Sequence, residues 1–292
     1  MNVEQQEAPS QIIARVAAKA KRHLAPCGDG HMVMHSWGSG PPLVLLHGNY
    51  GSWTHWIRNV EELGRHHRVI AVDIPGFGES AMAPEPYSIS SVAEIIAAGI
   101  VGLVAEEKVN LSGFSFGAAV ASETAHVLGP RLQRLVLVSA GRNMTGVTLS
   151  RTSDIVKWRG LATPAETEAA HRRNLQAIMI ADGSRADALA IAIQQSNAER
   201  TRVKRAVATQ DNATQTRVPA LKPPVDFIWG ECDANIGPHM AERPEWIRRF
   251  RPDARHIIIP DAGHWVAYEQ PERFNEAMLD LLKKPSELQP RN

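Results

Sequence analysis

What this chain has little of narrows it before any motif does. Its 292 residues include two cysteines, Cys27 and Cys232, in no CxxC or zinc-ligand spacing. That excludes a disulfide framework and a cysteine metal site, and the pair is expected as free thiols of a reducing compartment. Charge of one sign is equally scarce. Thirty-two basic side chains against 31 acidic ones leave a formal charge of +1, too little for the long-range positive field of a nucleic-acid binder. No apolar run approaches the ~18 residues of a membrane span. The N-terminal stretch IIARVAAKAKR is interrupted by Arg15, Lys19, Lys21 and Arg22, whereas a signal peptide needs an unbroken apolar core. A soluble cytoplasmic protein with neither membrane nor nucleic-acid partner is expected. His31 and His35 lie in a strand-like stretch without metal-ligand spacing, and DIPGFGES does not complete G-x-G-x-x-G; neither metal nor cofactor is expected. No internal repeat or low-complexity tract occurs.

What is present is alternation. Short apolar runs, HMVMHSW, PLVLLHG, RVIAVDI, VNLSG, RLVLVSA, VDFIWG and RHIIIPDA, alternate with helical patterns over 52–63, 91–107, 115–128, 244–250 and 271–282. That order predicts an α/β fold, a mostly parallel central sheet with helices on both faces. Between VSAG and VPALKPPVDFIWG lie some 75 residues with helical patterning and no strand signal, too long for a structureless loop. They are expected as a helical cap insertion over 142–216, with Thr163 before Pro164 and Glu166 as the N-cap signal of one helix. The core is then 28–141 and 217–292. Residues 1–27 form an N-terminal extension, with a basic amphipathic helix over 11–24 carrying Ile12, Ile13, Val16 and Ala20 on one side.

Gly113-Phe114-Ser115-Phe116-Gly117 matches G-x-S-x-G between a strand pattern and a helix pattern. In that setting a serine sits on a tight strand-to-helix turn with its hydroxyl exposed above the sheet. Gly113, Gly117, Ala118 and Ala119 are small, as close packing of that helix requires. A serine hydroxyl needs a base to take its proton and an acid to orient the base. Glu231 and Asp233 follow the strand VDFIWG, and His264 follows RHIIIP in the loop DAGHW. The chain order serine, acid, histidine is the one this architecture uses.

With HGNYGSW, DIPGFGES, GFSFG, WGECD and GHW in place, the chain resembles enzymes of the α/β-hydrolase fold with a helical cap over about residues 28–285. The resemblance implies Ser115 as nucleophile, His264 as base and Asp233, rather than Glu231, as acid. It also implies an oxyanion hole made by the backbone amides of Asn49 and Phe116, with His47 bracing that loop. VSAGRNMTG has no carboxylate, which removes the alternative acid position of some relatives. Dehalogenases and epoxide hydrolases of this superfamily carry aspartate at the elbow, so serine points away from them.

Three functions compete. A carboxylic-ester hydrolase, thioesterase or lactonase fits a generic triad. A carbon–carbon bond hydrolase of vinylogous β-diketone acids from aromatic ring cleavage is suggested by Trp265 after His264 and by the cap, but that group usually has asparagine where this chain has Phe114. A non-catalytic accessory protein would keep the fold without turnover. Expected substrate contacts are Tyr50, Phe114 and Trp265 beside the triad and oxyanion loop, and Arg172 and Arg173 in the cap. Residues 141–219 hold twelve Lys or Arg against seven acids. An inward arginine there, on a helix whose Leu175, Ile178 and Ile180 suggest a buried side, would favour a substrate carboxylate. The partner expected is a small-molecule substrate, with a homodimer left open.

Overall fold

The computed structural model describes residues 7–105, 107–140, 154–203 and 212–283. Of the charged cap residues, Arg142, Arg151, Lys204, Arg205 and Asp211 lie outside them. Eight strands, β1 (Lys21–Cys27), β2 (Gly30–Trp37), β3 (Pro42–Leu46), β4 (Arg68–Val72), β5 (Val109–Phe114), β6 (Leu132–Val138), β7 (Val225–Gly230) and β8 (His256–Ile259), form one sheet in the order β1-β2-β4-β3-β5-β6-β7-β8. The β1–β2 and β2–β4 pairs are antiparallel and the others parallel.

The central strands read as unbroken apolar runs because both faces are covered. Val44 and Leu46 of β3, Ile70 and Val72 of β4, and Leu135 and Leu137 of β6 enter one core with Val92, Ile96 and Ile100 of α3 (Ile89–Val104) and Val120 and Ala121 of α4 (Phe116–Leu128). Their alternates, Leu43 and Leu45, Val69 and Ala71, Val136 and Val138, enter the opposite core. There they meet Val16 of α1 (Pro9–Ala18), Val60 and Leu63 of α2 (Val60–Leu63), and Phe274 and Met278 of α10 (Pro271–Leu282). Period-two alternation thus builds two cores from one sheet.

Between β6 and β7 stand the helices expected there, α5 (Pro164–Ile178), α6 (Ala188–Arg200) and the short α7 (Ala213–Arg217). Thr163 caps α5 through a reciprocal box. Its hydroxyl accepts from Glu166 N at 3.2 Å, and its own N–H donates to Glu166 Oε2 at 2.9 Å. α8 (Arg243–Phe250) and α9 (Val266–Glu269) complete the set.

Two expectations change. The helix over 11–24 ends at Ala18, and Lys21–Cys27 is the edge strand β1, paired from Lys21↔Ser36 to Cys27↔Gly30. Only Ala25 and Cys27 turn inward while Leu24 stays 51% exposed, so the strand carries too little apolar alternation to be recognised, and Pro26 is tolerated because the strand is at an edge. The pattern over 52–63 resolves into a 3-10 turn (Trp53–Trp56) and α2. Among the described residues no helix is long and apolar enough to cross a membrane.

Candidate active site

Parallel pairing aligns the C-terminal ends of β3, β5, β6, β7 and β8, through Leu46↔Gly113, Phe114↔Val138, Val138↔Ile228 and Gly230↔Ile259. Side chains just beyond those ends must meet. Ser115 follows β5 with φ +53°, a left-handed conformation that a side chain adopts only under strain. The surroundings enforce it. Ser115 N donates to Val138 O at 2.9 Å, and Ala118 N donates to Ser115 O at 2.9 Å. A Cβ on Gly113 would collide with the Gly117 carbonyl, and one on Gly117 with the carbonyls of Leu46 and His47.

Asp233 follows β7 and His264 follows β8. His264 Nδ1 is 2.8 Å from Asp233 Oδ2, and His264 Nε2 is 2.8 Å from Ser115 Oγ. A carboxylate only accepts, so Nδ1 carries the proton and Nε2 turns its lone pair to the Ser115 hydroxyl. Asp233 is 1% exposed, and its Oδ1 accepts from Asn235 N at 2.9 Å. Arg243, buried near it, is lowered from its ordinary value by desolvation, which the Asp233 charge opposes. Glu231 is exposed and turned toward Asp261 N. Ser139, at φ +48°, donates through Oγ to the His264 carbonyl at 2.8 Å and fixes the histidine loop.

Two imidazoles hold the loop after β3. Ile74 N–H donates to His47 Nε2 at 3.0 Å, so Nδ1 bears the proton and donates to Gly48 O at 2.7 Å. Gly48 N–H donates in turn to His55 Nδ1 at 3.2 Å. Burial brings His47 down to about 4 and His55 well below its ordinary value, so both stay neutral. In a trans peptide C=O and N–H point oppositely. With the Gly48 carbonyl held by His47, the Asn49 N–H points away from that ring, and it has no acceptor among the described residues. Phe116 N–H is the first of the donors that a helix leaves unpaired at its N-terminus, here that of α4.

The expected substrate contacts divide. Tyr50, at φ +51°, is partly buried next to Asn49. Phe114 is 1% exposed, its ring centroid 5.1 Å from that of His264; it packs beneath the base instead of lining a substrate. Trp265 is fully buried, donates to His55 O at 2.9 Å and stacks on Tyr268, so it too supports the site from behind. Arg172 is half-buried at the flank of α5, pairing with Glu168 at 3.0 Å and donating to Ala186 O at 3.0 Å, and Arg173 is exposed. Neither lies on the buried face. Helix phase explains it: α5 buries Ala170, His171, Asn174 and Leu175, and positions 172 and 173 lie about 100° and 200° around from His171.

Sequence reasoning missed His55, Ser139 and Glu269. The Glu269 carboxylate accepts from Gly263 N at 2.7 Å, Ala181 N at 3.0 Å and Asp182 N at 2.7 Å, joining the cap to the histidine loop. Its only signal in the sequence is an acid in the apolar run WVAYE.

Comparison with known proteins agrees with this fold. The model of the alpha/beta hydrolase family matches residues 43–277. The dihydrolipoyllysine-residue acetyltransferase component of the acetoin cleaving system of Pseudomonas putida is 28% identical, over 96% of this chain and 71% of that protein. A 2-hydroxy-6-oxononadienedioate/2-hydroxy-6-oxononatrienedioate hydrolase of Paraburkholderia phymatum is 27% identical, over 82% of this chain and 86% of that one. The structure of naproxen esterase from Bacillus subtilis superposes with a TM-score of 0.73 at 20% identity, covering 97% of this chain and 100% of that one.

Proposed function

The chain belongs to the alpha/beta hydrolase family, and within it we propose a serine hydrolase that cleaves small or medium carboxylic esters, or related thioesters and lactones, through an acyl-enzyme on Ser115. The observation that carries this is the unbroken chain Ser115–His264–Asp233, with 2.8 Å at both links. His264 Nε2 takes the Ser115 proton as Oγ bonds to the substrate carbonyl carbon. The Asn49 and Phe116 amides stabilise the oxyanion, a contribution of about 2.7–4 kcal/mol for one such donor. His264 then protonates the leaving alkoxide, and the acyl group remains on Ser115. Water, deprotonated by the same nitrogen, releases the acid and restores the hydroxyl.

The test is a panel of p-nitrophenyl esters, an acetyl thioester, a lactone and a ring-cleavage dienoate, with Ser115→Ala as blank. The ester arm is expected to turn over in the wild type, with less than about a hundredth of that rate in Ser115→Ala. Asp233→Asn should lose several orders of magnitude and Glu231→Gln little. The thioester is included because one relative is named as an acetyltransferase component. A second reading, a carbon–carbon bond hydrolase, is favoured by the Paraburkholderia relative. A dienoate cleaved faster than every ester would replace the first reading with the second. No turnover of any member would favour an accessory protein.

A further inference from the structure

The buried face of α5 leads to the catalytic loop. At its lower end Ile178 O accepts from Asn235 Nδ2 at 3.2 Å, and Met179 O accepts from Trp265 N at 2.7 Å. His171 lies on the same face seven residues earlier, about two turns or roughly 10 Å up the helix axis. It is 1% exposed, yet neither ring nitrogen has a hydrogen-bond partner among the described residues. Buried polar side chains are nearly always paired, so an imidazole with both nitrogens unpaired needs an explanation, and a bound polar group is one that can be tested.

The surroundings of His171 are built. Asn174 grips Val156 at both backbone groups, accepting from its N–H at 2.7 Å and donating to its carbonyl at 3.0 Å. This fixes the segment carrying Trp158, whose ring centroid is 5.0 Å from that of His171. Arg159 covers the Trp158 ring at 4.8 Å and donates to Ala198 O at 3.3 Å, tying the wall to the end of α6. Burial keeps the imidazole below its ordinary value against the charge of Glu199. The neutral ring offers one donor and one acceptor, and a hydroxyl or an amide can answer both.

We propose that His171 sets acyl-chain specificity, its ring nitrogens hydrogen-bonding a neutral hydroxyl or amide on the chain of the substrate attacked by Ser115. This rests on the serine-hydrolase reading. The probes are the p-nitrophenyl ester of octanoic acid and that of its ω-hydroxy analogue. The wild type is expected to favour the hydroxy ester in kcat/KM. His171→Phe, which keeps a ring against Trp158, should reduce that preference about tenfold, chiefly through KM. His171→Asn, with one donor and one acceptor, should retain part of it, and it carries the comparison if the phenylalanine variant does not fold. An equal preference in wild type and variants, or none in the wild type, overturns the assignment and makes His171 a packing residue. A reactive-serine phosphonate separates the two claims. A labelled Ser115 with no His171 effect overturns this inference alone, whereas an unlabelled Ser115 with no ester turnover overturns both.

Discussion

At the scale of residues, one buried pair makes a signed prediction. Asp73 accepts from Trp53 N at 2.7 Å and from Glu79 N at 2.9 Å. Burial nevertheless raises its carboxyl from 3.8 to about 6, while His47, bonded to the next residue, is lowered from 6.5 to about 4. Between about pH 4 and 6 the folded state keeps an Asp73 proton that the unfolded chain has released, so Asp73 makes stability fall as pH rises. His47 has the opposite sign: the unfolded chain binds a proton that the folded state refuses, so stability is lost as pH falls. Each effect is about 3 kcal/mol, and they oppose. Asp73→Asn leaves the histidine unopposed, and its loss of stability from pH 7 to 4, measured by urea unfolding, should exceed that of the wild type by about 3 kcal/mol. Parallel curves would contradict this. Ser112, fully buried with a hydroxyl that has no partner among the described residues, should tolerate alanine without loss of turnover and with equal or greater stability; a clear drop in either measurement assigns that hydroxyl a role. Ser115, Asp233 and His264 were legible because a short motif and the chain order name them. His47 was expected as the brace of its loop through the resemblance, whereas His55 and Glu269 act on backbone groups left unpaired by the fold, which no local pattern records.

At the scale of elements, Glu269 of α9 ties two segments distant in sequence, the cap at Ala181–Asp182 and the histidine loop at Gly263. Glu269→Gln keeps the shape but turns one amide N–H₂ toward a backbone donor. It should destabilise the fold by about 2 kcal/mol and lower kcat/KM by shifting His264. Calorimetry alongside ester kinetics checks both; loss of stability with intact kinetics would make the tie structural only. The strands of the parallel sheet were legible as apolar runs between helical patterns. β1 was not, because an edge strand with two inward side chains has no clear period. The cap's helices were legible and its inward face was not: Leu175 and Ile178 pointed to a buried side, and only the helix phase puts His171 and Asn174 on it and the two arginines outside.

At the scale of the molecule, an eight-stranded sheet brings Ser115, Asp233 and His264 together from the ends of β5, β7 and β8, with β6 between the first two supplying Ser139. Two histidines hold the amide-bearing loop after β3, and the turn after α5 is tied through Glu269 to the loop that carries His264. The central claim is that this arrangement activates Ser115 alone. It is tested most directly by incubating the protein with a reactive-serine phosphonate and locating the adduct by peptide mass spectrometry. One adduct per chain is predicted, on the peptide containing Ser115, absent from Ser115→Ala and formed about a hundredfold or more slowly in His264→Ala. No adduct on the folded wild type, or one that persists in Ser115→Ala, would contradict the account.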